Sequence, residues 1–379
     1  MTRRAARSPR WLVPLGVVAA IAAGSLATSG TASADLPARS PQEVLVLLQQ
    51  ADVEAFSGTL RTSVDLGLPD LGALVAGSGR GDDDETAGGG PAADLLDLLT
   101  GDNTVRIWVD GPERLRAQLL EPEAETNVVR DGAELWVYRS ADATATRVDL
   151  PVEKPDPPPV PSTATPPTPQ VLADRVVVAL DPTTEVSAGE PVVVAGRGAY
   201  ELRLSPDDPR SLVRTASIAV DAETGAALRV RVEARGQDEP AVDVGWTSWS
   251  PERPDAETFR FTPPPGATVE ELDAGSFSAG AGARPGGLDQ GDAPAGSPRP
   301  QVIGTGWTAV LEIPAPAEAG DDALPGSPRT DDRLAALLTP VEGGAVLRTS
   351  LLSALRTDDG RWYVGAVTVE TLQAVAGGR

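Results

Sequence analysis

The segment ALRVRVEA at residues 227–234 sets Leu228, Val230 and Val232 against Arg229, Arg231 and Glu233. Successive side chains on a β-strand point to opposite faces, so this two-residue period describes a strand with one dry face and one wet face. The same period governs residues 56–68, where Phe56, Leu60, Val64, Leu66 and Leu68 alternate with polar partners. It returns in short runs at 105–109, 115–119, 126–130, 134–138 and 147–150. A second series follows at 192–195, 200–204, 217–221, 226–234, 241–249 and 259–262. Asp131-Gly132 and the DAETG stretch at 221–225 supply hairpin turns. A chain patterned this way folds mainly as antiparallel sheet, in about ten or eleven strands, enough to curl around an interior.

Two helical stretches interrupt the strands. Ser40, Pro41 and Glu43 carry the signals of a capped helix start, and Val44, Leu47, Leu48, Ala51 and Ala55 follow on one face. Val171, Leu172, Val176 and Leu180 form a second apolar stripe, set in a valine run that lowers helix propensity. Residues 77–103 read as an acidic loop with a short Leu-rich piece. The run Asp82–Glu85 lacks the alternating ligand spacing of a calcium loop. Residues 151–169 hold nine prolines and read as an extended spacer. Beyond a Gly/Ala/Pro/Ser-rich linker at 273–300, the tail offers a strand at 307–313, a short helix near Leu334, a hairpin around RTDDGRWY and a closing helix in VETLQAVA.

The chain contains no histidine and no cysteine. Histidine-based triads, thiolate chemistry, disulfides and the commonest metal ligands are thereby excluded. GTGWTA at 304–309 has dinucleotide-fingerprint spacing but precedes a strand-like run where that motif needs a helix. With aromatics at 4%, the stacking platforms of a carboxylate-driven glycosidase are thin. The expectation is a non-enzyme with no cofactor and no metal.

Residues 1–34 read as a cleaved signal segment: Arg3, Arg4, Arg7 and Arg10, an apolar run, then Ala32-Ser33-Ala34. The alternative is an uncleaved anchor. Removing these residues takes away four arginines and no acids, so the net charge moves from −23 to −27. Such a surface repels nucleic acid and anionic head groups, and the expected location is extracytoplasmic. Lys154 is the sole lysine among abundant Arg, Ala, Gly and Pro, the bias of a GC-rich genome such as an actinobacterium's.

Three segments, in order, resemble the LolA family of bacterial lipoprotein carriers. VRIWVDGPERLRAQLLEPEAETNVVRDGAELWVYRS (105–140) is similar to its central strands, SIAVDAETGAALRVRVEA (217–234) to its later hairpin, and FRFTPPPGATVEEL (259–272) to its closing strand end. The resemblance spans about residues 35–272. It implies an α+β fold: an incomplete antiparallel β-barrel with a helical lid, here carrying a small C-terminal α/β extension at 301–379. An interior for acyl chains follows from the same likeness, with a lipid or lipoprotein as ligand. The related regulator RseB implies the alternative, an envelope-stress sensor acting on a membrane anti-sigma-factor partner. No nucleic-acid partner is expected, and the chain is read as a monomer. The family's arginine before the proline of W-V-x-R-P is replaced by Gly111. Delivery to an outer-membrane receptor is therefore not implied.

Alternation assigns Leu60, Val64, Trp108, Leu115, Leu119, Trp136, Leu228 and Val230 to the cavity, and Val171, Leu172, Val176 and Leu180 to the lid. In FRFTPPPG, Phe259 and Phe261 should face one way on the last barrel strand, with Pro263, Pro264 and Pro265 ending its pairing.

Overall fold

The computed structural model describes residues 34–67, 101–121, 123–150, 167–180, 183–273, 300–315 and 338–378. The signal segment, nearly all of the acidic loop and Pro-rich insert, the linker and the helix near Leu334 lie outside the described residues.

Helix α1 (Pro41–Gln49) opens the fold with the capping box its sequence announces. Ser40 N–H donates to Glu43 Oε2 at 2.7 Å, and Glu43 N–H donates to Ser40 Oγ at 3.3 Å. Strands β1 (Ala55–Val64), β2 (Gly101–Asp110), β3 (Arg114–Leu120), β4 (Glu125–Asp131), β5 (Glu134–Arg139) and β6 (Thr144–Asp149) follow as a meander. Residues 101–103, read as loop, instead pair in β2 against Val64, Ser63 and Thr62. Helix α2 (Pro169–Val178) precedes β7 (Thr184–Ala188), β8 (Val192–Val194), β9 (Arg197–Pro206), β10 (Val213–Asp221), β11 (Ala227–Ala234) and β12 (Pro240–Ser250). With β13 (Thr268–Asp273) these make one 13-stranded sheet in the order β13-β6-β5-β4-β3-β2-β1-β12-β11-β10-β9-β7, with β8 paired to β9.

The sheet is open, with β13 at one edge and β7 at the other. Its centre is the long-range pairing of β1 with β12, which joins the two strand series into one surface. Every pair is antiparallel except β13 with β6. Both helices pack on one face. Val44 and Leu48 of α1 and Ala173 of α2 lie in one core with Leu202, Leu204, Ile218 and Val230. A second core on the same side gathers Leu60, Val105, Ile107, Leu119, Leu228, Val244 and Trp246.

The strand expected at 259–262 is absent. Asp255 caps a 3-10 turn, Ala256–Phe259, by accepting from Glu257 N–H at 2.9 Å, and the chain then runs extended to β13. The Phe-Arg-Phe alternation is real, but no strand pairs with it. Phe259, 1% exposed, packs instead on the sheet face opposite the helices, beside β3 and β4. The pairing that does occur comes after the prolines, at Thr268–Asp273.

Residues 301–315 and 338–378 carry a six-stranded sheet, ordered β14 (Gln301–Ile303), β15 (Val310–Ile313), β19 (Trp362–Gly365), β18 (Ser353–Thr357), β17 (Gly344–Arg348), β16 (Thr339–Val341). Helix α3 (Val369–Gly377) packs against β18 and β19 through Val369 and Leu372. The strand read at 307–313 begins only at Val310, because Trp307 sits in a 3-10 turn. That turn swings Trp307 into the core of the large sheet, where its Nε1–H donates to Thr184 Oγ1 at 2.9 Å. Further ties run from Ser350 N–H to Leu66 O and from Leu212 N–H to Ala366 O. Trp307→Phe should therefore lower unfolding free energy by about 1–2 kcal/mol, through the lost hydrogen bond and ring volume. Urea denaturation measures it; an unchanged midpoint would show that the contact is dispensable.

Candidate ligand-binding face

Register decides which side chains share a face, because directly opposed residues point the same way. Leu60 lies opposite Val105 and Trp246, and Val105 lies opposite Leu119. Val230 lies opposite Val244 and Ile218. Leu115 opposes Val109, and Val64 opposes Val242. Leu60, Leu115, Leu119, Leu228 and Val230 thus gather on the helix-bearing side, and Val64 shares it by register. Gly58 helps to build this surface. A Cβ there would meet Ser248 O at 2.4 Å and the Trp246 ring at 2.8 Å, so only glycine lets that ring lie across β1. Phe56 meets the same ring edge-on, with centroids 5.7 Å apart.

Trp108 and Trp136 fall on the other face. They belong to the cross-strand row Trp108, Arg116, Val129, Trp136, Arg147. The Arg116 guanidinium lies 5.9 Å from the Trp108 ring centre and donates to Thr258 O at 3.1 Å. Phe261 covers Trp136 and Tyr138, with centroids 5.4 and 6.0 Å away. The inward residues of these strands are the neighbours Ile107, Leu135 and Val137, all buried. In runs such as RIWV and LWVY both parities are apolar, so alternation alone does not choose between them.

Helix α2 crosses β11 and β12 on the helix-bearing face. Thr168 caps it, and Pro169 occupies its first turn. Ala173 is fully buried, and Leu172 packs against both cores at once. Val176 and Leu180 pack against the first core, whereas Val171 is 42% exposed and points away. Gln170 accepts from Ala227 N–H at 3.0 Å and fastens the start of the helix to β11. Leu60, Leu228 and Val230 have no accessible surface. Two polar residues on this side lie outside the apolar pattern of the sequence. Thr62 and Asn103 face each other on β1 and β2, on this same side. The signal for Thr62 was its place between Leu60 and Val64.

A charged cluster lies where β9, the end of β10 and the β10–β11 turn meet. Asp221, 1% exposed, accepts from Arg197 at 2.7 and 2.9 Å and from Thr224 N–H and Oγ1–H at 2.9 and 2.7 Å. Burial alone would raise the Asp221 pKa, but the Arg197 and Thr224 donors outweigh it and hold the carboxyl below its ordinary value. The same ion pair raises the Arg197 pKa, and the guanidinium lies 5.2 Å from the Trp249 ring centre. Among the described residues no group of three or more potential metal ligands converges, and no helix is long and apolar enough to cross a membrane.

An open, mostly antiparallel sheet bearing its helices on one face is the arrangement found here. The chain is similar in fold to solved MucB- and LolA-type proteins. The MucA/MucB complex of Pseudomonas aeruginosa matches at 16% identity and a TM-score of 0.38, covering 89% of this chain and 96% of that one. A LolA superfamily protein from Nitrosomonas europaea matches at 10% identity and a TM-score of 0.23, covering 59% and 99%. An uncharacterized conserved protein from Thermus thermophilus matches at 10% identity and a TM-score of 0.30, covering 61% and 98%. No family model and no curated protein matches the chain.

Proposed function

We propose that this is an exported, non-enzymatic protein of the cell envelope that holds the acyl chain of a lipid or lipoprotein under α2. The observation that supports the reading is the packing of α2 on the sheet. Helix α2 covers a continuous apolar surface through a few side chains, chiefly Leu172, Ala173, Val176 and Leu180.

Magnitudes favour an exchange of lid for ligand. Each lid side chain recovers at most about 1.5–3 kcal/mol by burial, whereas an acyl chain recovers about 0.8 kcal/mol per CH₂. Chains of a dozen or more carbons outweigh Leu172, Val176 and Leu180 together, and short chains do not. Native mass spectrometry of protein purified from its own host tests the proposal. Bound acyl species are expected, or uptake of a long-chain acylated peptide or phospholipid. A ligand-free protein that takes up neither would end it.

The lid also sets the affinity. Ala173→Leu adds bulk where no space exists, which costs about 1–3 kcal/mol in the closed state. Binding that requires the open state is weakened by the fraction of closed molecules. The variant should therefore bind a fluorescent fatty-acyl probe more tightly than wild type, by about fivefold and at most about 150-fold. Unchanged or weaker binding would show that α2 does not gate the site.

A further inference from the structure

Thr62 and Asn103 oppose each other across β1 and β2 on the helix-bearing face. Thr62 is 2% exposed, yet its Oγ1 has no hydrogen-bond partner. The Nδ2 of Asn103 is also buried and also unpartnered. Buried polar atoms in folded proteins are nearly always paired, so two adjacent exceptions call for a partner from outside the chain. Their surroundings are apolar: Leu60 and Val64 flank Thr62 on its strand, Val105 follows Asn103 on the same face, and Val244 stands opposite Thr62 on β12.

We infer that Thr62 and Asn103 anchor the carbonyl oxygen of an ester- or amide-linked acyl chain. This rests on the acyl-binding reading above and adds the group that the site recognises. The amide N–H and the hydroxyl are both donors, and opposed strand side chains stand about 5 Å apart at Cβ, a span that one carbonyl oxygen can bridge. A free carboxylate fits less well, because the flanking residues provide no counter-charge for a buried anion. The only buried arginine on this side of the sheet among the described residues, Arg130, is occupied by the carbonyls of Pro112 and Gly132 at 3.0 and 2.9 Å. The apolar face takes the hydrocarbon, and the pair sets how far along the chain the linkage sits.

The test compares affinities of the purified full chain for a myristoyl lysophospholipid, its alkyl-ether counterpart and a myristoylated peptide. The ether keeps the chain and removes the carbonyl. Wild type should favour the ester over the ether by about tenfold, the worth of one or two hydrogen bonds. Thr62→Val and Asn103→Leu should each remove most of that preference while ether binding persists, and Thr62→Ser should retain it. The ester and the peptide then rank the two carbonyl sources. Equal wild-type affinity for ester and ether overturns the anchor but leaves acyl binding standing, and this ratio decides even if a variant fails to fold. A Thr62→Val protein that keeps the full preference also overturns it. Failure of wild type and Ala173→Leu to bind any of the three probes overturns the anchor and the acyl-binding reading together.

Discussion

Phe259→Ala should lower the unfolding free energy by about 3–5 kcal/mol, the range for truncating a fully buried aromatic side chain. Phe259 is 1% exposed, and the Arg114 guanidinium lies 5.8 Å from its ring centre. It holds the crossing segment onto β3 and β4. Arg116, through its bond to Thr258 O, and Phe261, through Trp136 and Tyr138, depend on the same placement. The expected readout is a lower denaturation midpoint, with a tryptophan emission shift as Trp136 gains water. Phe261→Ala should cost less, because that ring is only partly buried. Equal costs for the two rings would show that the segment is held by something other than Phe259.

Asp221→Ala should cost about 3 kcal/mol, near the lower end for breaking a buried ion pair. The lower end applies because the Arg197 side chain keeps 20% exposure and a second partner in Glu223. The loss would reach beyond the pair, since Asp221 also accepts two hydrogen bonds from Thr224 in the β10–β11 turn. Gly225, at φ +77° in that turn, packs so tightly under Leu47 O that a Cβ would lie 2.3 Å from it, so the turn also seats α1. The pH dependence has a definite sign. The Asp221 pKa is depressed in the folded state, so its contribution is complete above the unfolded aspartate value of about 3.9 and is lost as pH falls below it. Wild-type stability should thus drop through this acid range, and Asp221→Asn should flatten part of the drop. A variant with the wild-type slope would show that other carboxylates govern acid unfolding.

Most of the strands were legible, because each carries its own evidence. Asp131-Gly132 turns the β4–β5 hairpin with Gly132 at φ +63°, and ALRVRVEA forms β11 with Arg229 and Arg231 paired to Asp243 on the face away from the helices. Helix α1 was legible through its cap. Less could be read where local pattern had two solutions. FRF alternates as a strand would, yet it lies flat against a sheet that was already complete at that position. Trp108 and Trp136 attract attention by size, but Ile107, Leu135 and Val137 beside them take the inward positions.

The amino-acid sequence by itself determined the strand content, the two turn-rich series, the capped first helix and the absence of histidine and thiol chemistry. These depend on neighbours within a few residues, where period, capping and composition act directly. Tertiary structure decided which face the helices cover, that β1 pairs with β12, and that Phe259 plugs the far side. Thr59 N–H reaches Ser248 Oγ across 189 residues of chain. A two-residue period divides a strand into two faces without saying which will be buried, and only the partner that arrives from that distance makes the choice.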